Sequence, residues 1–361
     1  MEATNGANQA DGHYHNVRLN KVHHSSILHH EITEVAIRKW NTRDDLLFLQ
    51  QVVNQLHEEK VLDPASLHLP APLDLRGLQF PTVTEHQALG LPNGTSRVVG
   101  QQSFSDANVS DIDFSQTRLD FSVWENCNFE RVCFDRARLQ NVRFFGCRFV
   151  ECTFRTADLK NASFSIGRQG SETEVTSTLF EKADLRGASC SNPVFRSTTF
   201  QNCRLDGFVF ESAILDQVVF AGEYEELTFR GLAGDVNRNR LMIDLSNAKV
   251  MWLHADCGID LRPVVLPDDG SCLMISDRIR AVPYISASLG QDQRAESRLV
   301  AKMLTGLYSD ESMCPLKQDQ ETLLLSKAMI ADFAETTDMG VVDALFGLIR
   351  GLARKGGFLV A

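Results

Sequence analysis

The sequence has no uncharged apolar run of the roughly 18 residues that a membrane-spanning helix needs. Its N-terminal stretch is polar and lacks the apolar segment of a secretory signal. Its 9 cysteines are an odd number with no Cys-x-x-Cys spacing, which argues against a disulfide framework or a zinc site. We therefore expect no membrane span, no cleavable leader, and reduced cysteines in a reducing compartment such as the cytoplasm.

Patterns that carry catalysis are also missing. No phosphate-binding loop, paired-carboxylate set or Ser-His-Asp set stands out. Asp269-Gly270-Ser271-Cys272-Leu273 resembles the cysteine segment of ovarian-tumour-type deubiquitinases, but in that family a histidine follows downstream. Here no histidine follows His254, and a cysteine nucleophile needs a base. We interpret Cys272 as a buried thiol after a turn, and we expect no catalytic residue and no bound cofactor.

The histidines are concentrated at the N-terminus, where 6 of the 10 precede position 31. Histidine-rich stretches can bind Zn²⁺ or Ni²⁺, but these histidines have no fixed ligand spacing and no neighbouring cysteine. We interpret them as part of a polar tail and predict no metal site. They are His13, His15, His23, His24, His29 and His30.

Length and composition are those of a globular protein. The chain has 361 residues, of which 43% are hydrophobic and 23% charged. At roughly 100–200 residues per domain, two or three units are expected. The formal charge is −11, so we expect no general binding to nucleic acid.

The dominant pattern is a large apolar residue at every fifth position. It runs from Phe104 to Phe164 and resumes from Phe180 to Phe220, with a smaller residue two positions before most of them. A period of five fits neither an α-helix nor a β-strand, so the chain must turn a corner once per pentad. Leucine recurs at every fourth pentad, which predicts four pentads per coil, with like residues stacked in columns. These leucines are Leu119, Leu139 and Leu159.

These pentads resemble the pentapeptide-repeat family, whose motif is A(D/N)Lxx. The closest matches are Ala107-Asn108-Val109, Ala157-Asp158-Leu159 and Ala183-Asp184-Leu185. The resemblance covers residues 102–222 and implies a β-solenoid, namely a right-handed quadrilateral parallel β-helix. It also implies that the large and the small residues of each pentad both point inward.

One interruption and two weaker flanks complete the repeat. The interval from Leu159 to Leu185 is one coil plus six residues. We predict that Val175 fills the missing large position and that the extra residues form a loop within 165–172. Weaker pentads at 73–80 and 243–250 extend the β-helix to 71–255, although the register between 221 and 242 is not assigned.

The remaining chain divides into three parts. We predict a mobile polar tail at 1–25, a helical cap at 26–70 and a mainly helical module at 256–361. In the cap, Thr42 should begin a helix with the apolar stripe Leu46, Leu49, Val53 and Leu56.

The C-terminal module should start with an irregular segment at 256–290, which contains three prolines. Three helical patterns should follow, marked by Leu299/Met303/Leu307, Leu323/Met329/Phe333 and Val341/Leu345/Leu348/Leu352. Val194 and Ile214 lie on the outer surface of the repeat, so we predict that a flanking helix or a second subunit covers them.

This plan favours a non-enzymatic protein-interaction scaffold, because stiff repeat solenoids commonly present faces to other macromolecules. A bacterial effector, delivered without a cleavable signal and acting on host proteins, is the leading context. A protein partner and a homodimer are both compatible with it. One alternative is a DNA mimic that protects or inhibits a topoisomerase, although the repeat has only a small acidic excess. A second is an effector enzyme with ubiquitin-transfer or cysteine-protease-like chemistry in 256–361.

Overall fold

The computed structural model describes residues 42–80, 82–84, 98–232, 235, 238–255, 259–308 and 322–360. By their contacts these residues belong to one unit, 36–361. The histidine-rich stretch lies outside the described residues, and the proposed domain boundaries stay predictions. None of the helices in the described ranges is long and apolar enough to cross a membrane.

Short strands dominate the first two thirds of the chain. They are β1 (Val61–Leu62), β2 (Leu73–Asp74), β3 (Thr82–Thr84), β4 (Val98–Gln101), β5 (Ser103–Ser105), β6 (Asn108–Ser110), β7 (Ile112–Asp113), β8 (Val123–Glu125), β9 (Asn128–Glu130), β10 (Arg143–Phe145), β11 (Arg148–Val150), β12 (Thr153–Arg155), β13 (Ser163–Ser165), β14 (Glu174–Thr176), β15 (Leu179–Glu181), β16 (Ser189–Ser191), β17 (Val194–Arg196), β18 (Thr199–Gln201) and β19 (Val209–Glu211). Two long strands follow, β20 (Ile214–Arg230) and β21 (Leu241–Ala255). The C-terminal region adds β22 (Cys272–Ser276) and β23 (Thr322–Ser326).

The strand register confirms a coil of four pentads. Phe104 pairs with Trp124, and Trp124 pairs with Phe144, in parallel strands. Seventeen strands join in one sheet in this way. The corners are turned by a residue with positive φ at every fifth position from Asp106 to Asn161. Asparagine, aspartate and glycine adopt this left-handed conformation most readily, which explains their frequency at the corners.

The six-residue insertion preserves the register, and the prediction for Val175 is confirmed. Val175 is buried and pairs with Phe149 of the coil before the insertion and with Phe195 of the coil after it. The extra residues form a tight loop in which the Gly167 amide donates to the Ser171 carbonyl at 2.8 Å. The Ser171 hydroxyl donates to Asn126 Oδ1 of an earlier coil. The loop therefore packs against the coils.

The interior is apolar and largely aromatic. One column stacks nearly parallel rings at centroid distances of 4.9, 4.8, 4.9 and 5.2 Å along the axis. Its members are Phe134, Phe154, Phe180, Phe200 and Phe220. Five cysteines occupy buried positions as free thiols, and burial raises the pKa of Cys152 to about 12. These thiols pack as small apolar groups.

The N-terminal cap begins as predicted. Helix α1 (Arg43–Asn54) has Thr42 as its N-cap, and Thr42 and Asp45 form a reciprocal capping box. Its buried side chains include Val52 and Val53, whereas the side chain of Leu46 lies outside the described residues. A π-helical turn, Gln55–Glu59, follows and places the buried Leu56 in the same core.

Both weaker flanks join the β-helix. Leu73 pairs with Ile112, and β20 pairs with β21 through the segment whose register the sequence leaves open. The prediction of an irregular segment after position 255 is wrong. Isolated parallel bridges join Arg240 to Asp260 and Asp244 to Val265, which adds a further turn.

The C-terminal module needs three further corrections. A helix, α2 (Arg278–Gly290), forms despite Pro283 in its interior, because a buried apolar face offsets the lost hydrogen bond. Leu323 lies in β23, which pairs antiparallel with β22, and not in a helix. In α3 (Ala295–Tyr308) the buried stripe is Val300 and Leu304, one position on from the predicted one. Helices α4 (Lys327–Phe333) and α5 (Met339–Gly356) follow.

The predicted outer column is buried to different degrees. Val194 is 1% exposed and Ile214 is half-buried, so the burial of Val194 needs no second subunit. Two positions before Ile214, the Ser212 carbonyl accepts a hydrogen bond from the guanidinium of the buried Arg238, which also pairs with Glu172. Arg238 therefore ties the loop at 165–172 to the chain that follows β20.

Candidate binding groove

A groove of about 710 Å³ lies between the last coils of the β-helix and the C-terminal module. One wall comes from β21, and the other comes from β23, α4 and the start of α5. The chain has one hydrophobic core inside the coils and a second among the C-terminal helices. Strand β23 is fixed to β21 by the Ser326 hydroxyl, which donates to the Met251 carbonyl at 3.1 Å. The groove therefore exists only because β21 of the β-helix and β23 of the C-terminal module lie side by side.

The floor of the groove is apolar, and its edge carries two exposed methionines. Leu245, Leu253 and Met329 are buried at the floor. Met251 and Met339 line the groove with 46% and 54% of their surfaces exposed. Flexible, polarisable methionine side chains are typical of surfaces that adapt to apolar partners.

The charges at the rim are unequal. Both lysines are engaged, since Lys249 pairs with Glu223 at 3.0 Å and Lys327 pairs with Asp343 at 2.7 Å. The exposed Asp332 and Glu335 have no ion-pair partner among the described residues. The negative charge of the rim is therefore only partly neutralised.

Cys272 lies in the groove as a half-buried thiol. Burial raises its pKa, and the Ser271 hydroxyl is its polar neighbour at 3.8 Å. A raised pKa lowers the thiolate fraction at neutral pH and so opposes nucleophilic chemistry. No cluster of three or more metal-ligating side chains occurs in the part of the chain that the structure describes.

A second surface is the charged ladder, which consists of two neighbouring columns of side chains on one face of the coils. Arg138 contacts Asp120 at 3.3 Å, and Lys160 contacts both Asp158 and Asp184 at 3.5 and 3.4 Å. Opposite charges on successive coils thus neutralise each other. A phosphate-mimicking surface would need a continuous run of one sign, so the charged ladder does not favour DNA mimicry.

In the charged ladder, Asp184 should make a contribution to stability that depends on pH. Burial alone would raise the pKa of this carboxyl, but hydrogen bonds from Arg186 and the charge of Lys160 lower it to about 2. Its ionised form therefore stabilises the fold fully above about pH 4, and this contribution is lost as the pH falls toward 2. We expect Asp184→Asn to lower stability by about 1 kcal/mol at pH 7. Thermal melts should show this difference narrowing below pH 4, and a constant difference down to pH 2 would contradict the assignment.

Comparison with known proteins decides the identity of the repeat. A family model described as pentapeptide repeats matches residues 107–144, 137–165 and 176–211 with 8 copies. The chain carries a pentapeptide-repeat domain. No curated protein matches the chain.

The pentapeptide-repeat domain is also similar to solved structures. Full-length QnrB1, described as a plasmid-mediated fluoroquinolone resistance protein, is 18% identical over 54% of this chain and 92% of that one, with a TM-score of 0.19. HetL from Nostoc sp. strain PCC 7120, described as involved in heterocyst differentiation regulation, is 14% identical over 55% of this chain and 86% of that one, with a TM-score of 0.20. At these values the likeness says nothing about function.

The sequence did not predict the groove. Among the lining residues it points to possible chemistry only at Cys272, which the structure places beside Ser326 and Lys327 of a distant segment. The pairing of β22 with β23 creates this proximity, as in Cys272 with Ser326. The two exposed methionines gave no signal, because isolated methionines usually fill cores.

Proposed function

We propose that this chain is a non-enzymatic scaffold that binds a segment of a partner protein in the groove. The observation that carries the proposal is the apolar floor with Met251 and Met339 exposed at its edge. A concave, largely apolar groove with a few polar groups at its rim is the usual form of a binding site. The half-buried Cys272, whose raised pKa opposes nucleophilic attack, supports a binding role over a catalytic one.

As the biological context we propose a bacterial effector that acts on host proteins. The partner is then a eukaryotic protein, and the β-helix acts as a stiff support for the groove. The alternative hypothesis, a DNA mimic that binds a topoisomerase, requires a continuous acidic face. The charged ladder has paired opposite charges instead.

Comparative affinity capture tests this proposal. The bait is the full chain, the double variant Met251→Ser/Met339→Ser, or the control Met303→Ser, which changes a 38% exposed methionine of α3 outside the groove. We expect a protein captured from eukaryotic lysate by the full chain and the control to be lost with the double variant. Equal capture by all three baits would contradict a groove-bound partner, and a topoisomerase captured from bacterial lysate by all three would favour the alternative.

A further inference from the structure

We infer that the groove accepts a protein segment whose apolar side chains are flanked by lysine or arginine. This inference rests on the proposed function and specifies the chemistry of the partner. At the rim of the groove the two lysines pair with acidic neighbours, whereas no described cation pairs with the carboxylates of α4 and of the turn that follows it.

The position of these carboxylates is not explained by stability. Asp332 lies in the last turn of α4, and Glu335 follows it with a positive φ of 50°. The carbonyl end of a helix carries partial negative charge, so acidic groups there are slightly destabilising. A cation supplied from outside would relieve this repulsion.

Neither of the two lysines forms an ion pair with Asp332 or Glu335. Lys327 is held by Asp343 and lies over the Phe346 ring at 5.8 Å from its centroid. Lys249 is held by Glu223 on the opposite wall. On the remaining edge Asp269 is exposed, and its carboxylate accepts a hydrogen bond from the Ser271 amide at 2.8 Å. Carboxylates thus lie on more than one side of the apolar floor.

Charge and shape together define the occupant. The floor offers space for a few aliphatic or aromatic side chains, and the methionines can adapt to their shapes. Basic residues on either side of those anchors would reach the carboxylates. Charge complementarity of this kind mainly sets specificity and the association rate, while the apolar anchors supply most of the affinity.

The test uses two fluorescent peptides. One is an amphipathic helix of about five turns built from leucine and lysine, and the other has every lysine replaced by glutamate. Fluorescence anisotropy measures their binding to the full chain. We expect the lysine peptide to bind at least about tenfold more tightly than the glutamate peptide, which corresponds to about 1.4 kcal/mol. Peptide mapping by mass spectrometry should also show that the bound peptide slows maleimide labelling of Cys272.

A charge-reversed variant and a matched control locate the effect. Asp332→Lys/Glu335→Lys should remove the preference for the lysine peptide. Glu151→Lys/Asp206→Lys makes the same charge change at two exposed carboxylates of the β-helix, and Glu151, like Glu335, has a positive φ, here of 54°. The control should change the affinity less than twofold.

Three other outcomes would contradict either the charge inference alone or the proposed function as well. If the control weakens the lysine peptide as much as the groove variant does, the attraction is to the net charge of the chain and the inference fails. If both peptides bind equally well and both lose affinity in Met251→Ser/Met339→Ser, the charge inference fails while the proposed function stands. If neither peptide binds, the inference fails, and comparative capture decides separately whether the proposed function also fails.

Discussion

Replacement of Val175 by aspartate should leave the repeat domain without a cooperative unfolding transition. Val175 is fully buried, with Phe149 and Phe195 as its partners on adjacent coils. A carboxyl group there finds no hydrogen-bond partner, and burying a polar group in this way costs roughly 2–7 kcal/mol. That cost approaches the whole stability of a domain, about 5–15 kcal/mol. Urea titration followed by circular dichroism measures the result.

The adjacent position provides the matched control. Thr176 is half-buried and lies between Val150 and Arg196 on the outer surface of the coils. Thr176→Asp should change the free energy of unfolding by no more than about 0.5 kcal/mol. If Val175→Asp is tolerated while Thr176→Asp unfolds the chain, the register after the loop is shifted by one position.

Replacement of Phe180 by alanine should lower the free energy of unfolding by about 3–5 kcal/mol. Its ring is stacked between those of Phe154 and Phe200 at centroid distances of 4.8 and 4.9 Å, with interplanar angles of 6° and 10°. Removing it leaves a cavity that the two adjacent rings cannot fill, because each is fixed in its own coil. Chemical denaturation of the purified chain measures the loss.

A surface phenylalanine of the same repeat serves as the control. Phe121 is 48% exposed at a corner, so Phe121→Ala should change stability by less than about 0.5 kcal/mol. If Phe121→Ala and Phe180→Ala lowered the free energy of unfolding equally, the stacked rings would contribute no more to stability than an exposed phenylalanine does.

The fold of the repeat could be predicted because one physical constraint recurs at every coil. A pentad must bury its central residue and turn a corner, so the spacing of apolar residues follows the coils directly. This is why Val175 could be placed across a six-residue insertion. The additional turn was not predicted, although Ile259-Asp260-Leu261 repeats the Ile-Asp-Leu pattern of 243–245, because the three prolines that follow it indicated an irregular segment.

The C-terminal module is harder to predict, because its elements depend on partners far away in the chain. The apolar run at Leu323–Leu325 is too short for its period to distinguish strand from helix, and the pairing with β22 decides the matter. Pro283 argued for a loop, yet burial of Ile285 and Leu289 outweighs it. The groove is lined by β21, β23 and the start of β22, which lie far apart in the chain, so no local sequence pattern could predict it.

Site-specific photo-crosslinking shows whether a partner protein occupies the groove. A photoreactive phenylalanine analogue is placed at position 251, 339 or 303 of the full chain, and covalent adducts from eukaryotic lysate are identified by mass spectrometry. If a partner segment lies in the groove, the same protein is trapped from positions 251 and 339 and not from position 303. Adducts that form equally from position 303, or that never include one protein shared by the two groove positions, would contradict it.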